Sequence, residues 1–444
     1  MSAIVFKSLW IQVLLLLVSI ATFGQFIVFG ESNMAYNGVI TGQDYTLYYE
    51  TQPKNGSFSL SLRDSEFVEQ MFEQFTIGRN FGIIGHDVVG ETVHLMLSNA
   101  SSFKLMCVID TRTRGIKFYP ISVNAQRIEI FKVIDNTLLV VGWLPKGDLV
   151  QLFDYKAGTL ISLSELYHPK TRVWDVQVKD GIFDILVYYE GDYINQSLKM
   201  LGYTASGAKL YETEIEAPGQ KKLIFKSGKL VSISQSAYSI VGTYAKKQGE
   251  QFSGYYHISV NDFQEQSAKI HPMRSLEGFF DYKKNPGLRK NAKNLRREMA
   301  VYHTKTNGDY IALASSSDRV VRKFVHFVVL DLQGEHIYDT SVKVFYHSGW
   351  DLEDQSMLAL VGKDLYFVFE GNEKMNVLPG MKLYQIVDGN LTGLLKINDF
   401  LRTQLNQNGL DDVRVYHWKE NKFVVLGVEN INGVPRYVIK KIEV

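Results

Sequence analysis

Short apolar or alternating runs follow polar turns with a regular beat along this chain. The turn Thr41-Gly42-Gln43-Asp44 precedes residues 45–49, Gly90-Glu91 precedes 93–97, Asp135-Asn136 precedes 138–141, and Asp180-Gly181 precedes 182–188. Ser227-Gly228, Asn307-Gly308-Asp309, Gly362-Lys363-Asp364 and Glu420-Asn421 open four more such runs. Taking Gly42, Gly90, Asn136, Gly181, Gly228, Gly308, Gly362 and Asn421 as anchors, the spacings are 48, 46, 45, 47, 80, 54 and 59. A second strand signal recurs inside each unit, at 58–63, 103–109, 149–153, 198–203, 255–260, 324–330, 381–387 and 436–442. Several of these run into a turn opened by Asp and closed by Gly, as in Asp154-Tyr155-Lys156-Ala157-Gly158.

Each unit therefore reads as strands A, B, C and D, with turns between A and B and between C and D. Four strands per period near 45 to 50 residues suit radially stacked sheets, because one such sheet cannot cover both of its faces alone. The expectation is an all-β propeller of eight, alternatively seven, four-stranded blades over residues 25–444. The last unit lacks a strand D, and residues 25–29 lack a unit of their own. An N-terminal strand that completes the last blade resolves both and covers an open edge. Segments 65–75 and 398–408 read as helix or irregular strand.

The longest spacing holds an insertion at about 271–299. Leu288, Ala292, Leu295 and Met299 share one helical face there, and Lys283, Lys284, Arg289, Lys290, Lys293, Arg296 and Arg297 make the segment basic. Two readings stand: a helix docking on an anionic surface, or a solvated helix packing its short stripe on the ring.

Lys7 followed by an apolar stretch at 9–21 and a small residue at Gly24 reads as an export signal over 1–24, with an uncleaved anchor as the alternative. The single cysteine, Cys107, lies in an apolar run and permits no internal disulfide. An exported chain without disulfides points to a periplasmic or secreted, cell-envelope location. With 48 Lys+Arg against 47 Asp+Glu the net charge is +1, which argues against a nucleic-acid partner.

No metal-ligand spacing, nucleophile elbow or phosphate-cradling loop occurs, so no metal or cofactor is expected. One constellation recurs: Tyr167-His168 before Trp174-Asp175, Tyr346-His347 before Trp350-Asp351, and Tyr416-His417-Trp418. In a propeller the connections between blades and the B–C loops open on one face around the channel. The candidate ligand-binding set on that face is Trp174, Trp350, Asp351, His347, Trp418, His417, Tyr189 and Glu190. Their rings suit stacking on a sugar or similar polar ring; packing between blades is the other explanation. Asp351 and Glu190 could work as an acid and base pair on a glycosidic bond, or bind Ca²⁺, or stand as solvated loop charges. The leading expectation is a non-catalytic binding or scaffolding protein with a glycan or protein ligand, and the alternative a glycan-acting hydrolase or lyase.

The end of the leader, Phe23-Gly24-Gln25, the run 45–50, the turn Lys54-Asn55-Gly56 and the strand Phe58-Ser59-Leu60-Ser61-Leu62-Arg63 before Asp64 together resemble uncharacterised exported propeller-like proteins of Bacteroidetes. The resemblance covers the leader and first unit. It implies an envelope location and assigns no catalytic or binding residues.

Overall fold

A run such as Leu138-Leu139-Val140-Val141 is apolar on both faces, so a strand formed from it needs cover on both sides; all four residues are buried. Stacked sheets supply that cover. The computed structural model describes residues 26–444 except 32–35, 100–102, 126, 145–146, 191–195, 218–222, 235, 247–251, 282–298, 318–320, 348–355, 372–379 and 406–409. Its strands form eight four-stranded antiparallel sheets. These are blade 1 (36–76), blade 2 (82–121), blade 3 (127–162), blade 4 (171–215), blade 5 (224–272), blade 6 (300–347), blade 7 (357–396) and blade 8 (411–443). The innermost strand A of every blade touches strand A of the next, and blade 8 meets blade 1, so the ring is closed.

The fourth strand of blade 8 comes from the other end of the chain. Phe26–Glu31 lies outside Val434–Glu443, with Phe26 opposite Lys440 and Val28 opposite Val438. The unit that ran out of sequence is thus completed by the orphan N-terminal strand.

Among the described residues the apolar core is divided. Eight apolar clusters each lie between two adjacent blades. One joins Leu47, Tyr49 and Leu60 of blade 1 to Val93, Leu95 and Cys107 of blade 2. Cys107 is fully buried, and burial pushes its thiol well above the ordinary range, which makes it a core side chain and not a nucleophile.

The turn after strand C is a second local device. Asp64, Asp110 and Asp154 each accept backbone N–H bonds from the residues that follow, as at Lys156 (2.9 Å) and Ala157 (2.8 Å). Asp331 does the same for Glu335.

Three expectations need correction or completion. Gly228 does not open a strand; it lies inside strand A of blade 5 (Ile224–Ser234), and the A–B turn falls at Ser236. The carbonyl of Ser236 accepts from Asp262, as Asn136 accepts from Tyr155 in blade 3. A side chain at 228 would run into Trp174, so the glycine answers a packing demand between blades. Of the two ambiguous segments, the first contributes strand D of blade 1, Glu69–Thr76. The second forms helix α1 (Ile397–Leu405), which buries Ile397 and Leu401 between blades 7 and 8. The basic helix of the insertion lies outside the described residues, apart from Met299, which is buried between blades 5 and 6. No helix among the described residues is long and apolar enough to cross a membrane.

Candidate functional site

Strand A has an inner edge with no further strand to pair with, so its N–H groups require other acceptors. Aspartates of the preceding blade provide them. Asp87 accepts from Val133 N–H (2.8 Å) and from Lys132 Nζ (3.1 Å), linking blades 2 and 3. Asp148 accepts from Val173 N–H (2.7 Å), with Arg172 beside it at 3.4 Å. Asp175 accepts from Leu230 N–H (2.9 Å), with Lys229 at 3.4 Å. Each clamp joins a carboxylate to a basic residue and the aliphatic residue after it. That recurring pair, Lys132-Val133, Arg172-Val173 and Lys229-Leu230, is the sequence signal that could have revealed them.

The candidate residues divide between positions. Trp174 lies within strand A of blade 4 (Thr171–Lys179), stacked on Tyr188 with ring centroids 4.4 Å apart and planes at 13°. It packs against the core between blades 4 and 5. Tyr189 closes strand B of the same blade (Ile182–Tyr189), with Lys199 Nζ 5.5 Å from its ring centroid. Glu190 follows it, exposed, its N–H bound to Lys170 O at 2.6 Å.

His417 and Trp418 stand elsewhere. They occupy the C-terminal end of strand A of blade 8 (Asp411–Lys419), beside the A–B turn, and so at the end of the ring opposite Tyr189 and Glu190. Trp418 Nε1 donates to Gly42 O (2.9 Å) and its ring meets Phe67 edge-on at 5.6 Å, closing the seam between blades 8 and 1. His417 Nε2 donates to Glu420 O at 2.8 Å. The local Tyr-His-Trp pattern gave no strand polarity, which is why all three instances were expected on one face. His347 ends strand D of blade 6 (His336–His347), and its side chain lies outside the described residues, as do Trp350 and Asp351. The structure thus places Trp174, Tyr189 and Glu190 on blade 4, with the Trp174 ring packed toward blade 5 and the Tyr189 ring toward blade 3, and sets His417 and Trp418 apart.

A buried polar chain between blades 5 and 6 gave no sequence signal at all. Asp339 Oδ2 accepts from His326 Nε2 (3.0 Å), so the other imidazole nitrogen accepts from Tyr255 O–H (2.7 Å), which also meets Ser315 Oγ. His336 Nε2 lies 3.1 Å from the second Asp339 oxygen. Burial alone would raise the Asp339 carboxyl, but the two imidazoles hold it at about 2. The order Ser–Tyr–His–Asp is suggestive of a nucleophile relay, yet Ser315 and His326 have no exposed surface for a substrate to reach. Phe279 covers the His326 ring at 4.6 Å, and Ser341 Oγ reaches the carbonyls of Gly278 (2.7 Å) and Phe279 (2.9 Å). The chain ties the start of the insertion to blade 6. Among the described residues no group of His, Cys, Asp or Glu is placed to hold a metal ion.

Buried imidazoles elsewhere set a pH dependence. Burial lowers His94 and His257 from 6.5 to about 4. The unfolded chain therefore takes up protons first as pH falls below 6.5, and folding loses about 1.4 kcal/mol per pH unit for each group until its folded pKa is reached. Chemical denaturation is expected to give a plateau above pH 7 and a fall of several kcal/mol between about pH 6.5 and 4.5. His257→Gln should flatten that slope; an unchanged slope would show the imidazole titrating alike in both states.

These features define an eight-bladed β-propeller in which carboxylates tie adjacent blades together. Several solved structures are distantly similar to this chain. The β-propeller domain of the Trilobed protease from Pyrococcus furiosus is 8% identical with TM-score 0.42, covering 81% of this chain and 94% of that one. Saccharomyces cerevisiae Sqt1 is 12% identical with TM-score 0.47, covering 94% and 98%. Pyrococcus horikoshii acylaminoacyl peptidase is 10% identical with TM-score 0.41, covering 88% of this chain and 57% of that one. At these identities the likeness concerns the fold alone. No protein-family model and no curated protein matches the chain.

Proposed function

We propose that this chain is a non-catalytic binding or scaffolding propeller of the cell envelope, periplasmic or secreted, with its ligand over the face that holds Tyr189 and Glu190. The observation that supports this reading is the commitment of Asp87, Asp148 and Asp175. Each already holds a backbone N–H and a cation of the next blade, which leaves none of them to transfer a proton. The leader ending at Gly24 supports export, and it leaves Phe26–Glu31 to close the ring.

The test is a thermal-shift screen of residues 25–444 against saccharides, paired with an assay for new reducing ends. A stabilising saccharide released unchanged is the expected result, with the shift lost in Tyr189→Ala. Release of reducing ends that disappears in Glu190→Gln would overturn the proposal in favour of a hydrolase, and no shift with any saccharide would remove the glycan ligand.

A further inference from the structure

Asparagine is followed by glycine at Asn37, Asn55, Asn307 and Asn432 among the described residues; a further pair, Asn408-Gly409, lies outside them. In such a pair the backbone nitrogen of glycine can attack the Cγ of the asparagine carboxamide, because no side chain on the second residue hinders the approach. The reaction needs a carboxamide free to rotate and an amide nitrogen free to turn toward it. The surroundings of each pair therefore decide its rate.

Three of these pairs are restrained. Asn37 is buried within strand A of blade 1, with Gly38 opposite Tyr49 in the ladder. Asn55 is exposed, yet its Nδ2 donates to Gln52 Oε1 (2.7 Å) and its Oδ1 accepts from Ser57 N–H (2.9 Å) and Oγ–H (2.8 Å). The Gly56 N–H donates to Gln52 O at 2.9 Å. Asn307 Nδ2 donates to Gly362 O (2.6 Å), and its Oδ1 accepts from the N–H groups of Asp309 (3.2 Å) and Tyr310 (3.0 Å). The Gly308 N–H donates to Thr306 Oγ1 at 3.2 Å. Asn432-Gly433 differs from all three. It forms the exposed two-residue turn between strands B and C of blade 8, both residues at positive φ, closed by the paired Ile431 and Val434. Neither the Asn432 carboxamide nor the Gly433 N–H is hydrogen-bonded among the described residues. Only the closing pair at the hairpin tip must loosen for the reacting atoms to meet.

We propose that Asn432-Gly433 is a site of spontaneous deamidation. The Gly433 nitrogen bonds to Asn432 Cγ, and its proton departs with the carboxamide NH2 group as ammonia, leaving a succinimide. Water then opens the ring at either carbonyl to give aspartate or isoaspartate, so the net change exchanges ammonia for water without oxidation or reduction. Either product adds a carboxylate to the face that holds Tyr189 and Glu190, on the opposite side of the ring from blade 4. Isoaspartate also lengthens the backbone of a turn that has room for two residues only. The site rests on the geometry of the hairpin and stands or falls independently of the ligand proposed for that face.

Incubation of the folded protein in mildly alkaline buffer, then digestion in mild acid and peptide mapping by mass spectrometry, tests the assignment. Conversion at Asn432 is expected to run at least about tenfold faster than at Asn55 or Asn307, whose hydrogen bonds must break first. Asn37 should stay unconverted over the same period. In concentrated urea the rates at Asn55, Asn307 and Asn432 should converge, since glycine follows each of them and the folded surroundings are gone. No conversion at Asn432, conversion at Asn55 or Asn307 as fast as at Asn432 in the folded protein, or a preference for Asn432 that persists in urea would each overturn the proposal.

Discussion

Replacing Phe26–Glu31 with a flexible Gly/Ser segment of equal length is expected to lower the melting temperature by about 10 °C. The segment supplies the outer strand of blade 8 although it lies at the N-terminal side of blade 1 in the sequence, so it ties the two ends of the ring together. Its removal frees the backbone groups of Val434–Glu443 on one edge, at roughly 1 kcal/mol for each hydrogen bond, and loses the packing of that layer as well. The bared edge is also a template for another chain. Size-exclusion chromatography of the variant should therefore show concentration-dependent association. A variant that melts like the parent and stays monomeric would mean that the outer strand adds nothing to closure.

Asp184→Ala is the second substitution with a large expected effect. Asp184 is fully buried in strand B of blade 4 and accepts O–H bonds from Tyr211 of its own blade and Tyr238 of blade 5, the latter at 2.6 Å. Burial raises its carboxyl while the two hydroxyls counter that rise. Removing the acceptor leaves two hydroxyls unpaired, each costing about 1–3 kcal/mol. The loss of stability in urea denaturation should therefore be about 3–5 kcal/mol. Tyr238→Phe on its own should cost less, and the double variant less than the sum, because the two groups share one bond. Strict additivity would show that the bond contributes nothing.

Much of the architecture was legible because it is local. A two-residue turn between strands A and B needs left-handed backbone, and Gly90, Asp135, Asp180, Gly362 and Glu420 all have positive φ there. Strand C ends in an Asx turn whose partners lie within four residues. The one misplaced anchor, Gly228, failed because a glycine selected for contact with Trp174 looks the same in sequence as a glycine in a turn. The site was far less legible. Asp175 and Leu230, or Tyr255 and His326, are separated by a blade or more of chain, and no local pattern announces their meeting. His417 and Trp418 were correctly assigned to an innermost strand, but which of its ends they occupied depended on where that strand turned.

Eight interblade clusters with little shared membership have a thermodynamic corollary. Energetic coupling runs between nearest neighbours, as in a one-dimensional array bent into a circle. Core substitutions on opposite sides of such a circle act as independent perturbations, whereas two within one wedge compete for the same space. Local opening then begins at whichever wedge is weakest and need not involve the far side, so hydrogen exchange in this molecule should resolve sector by sector.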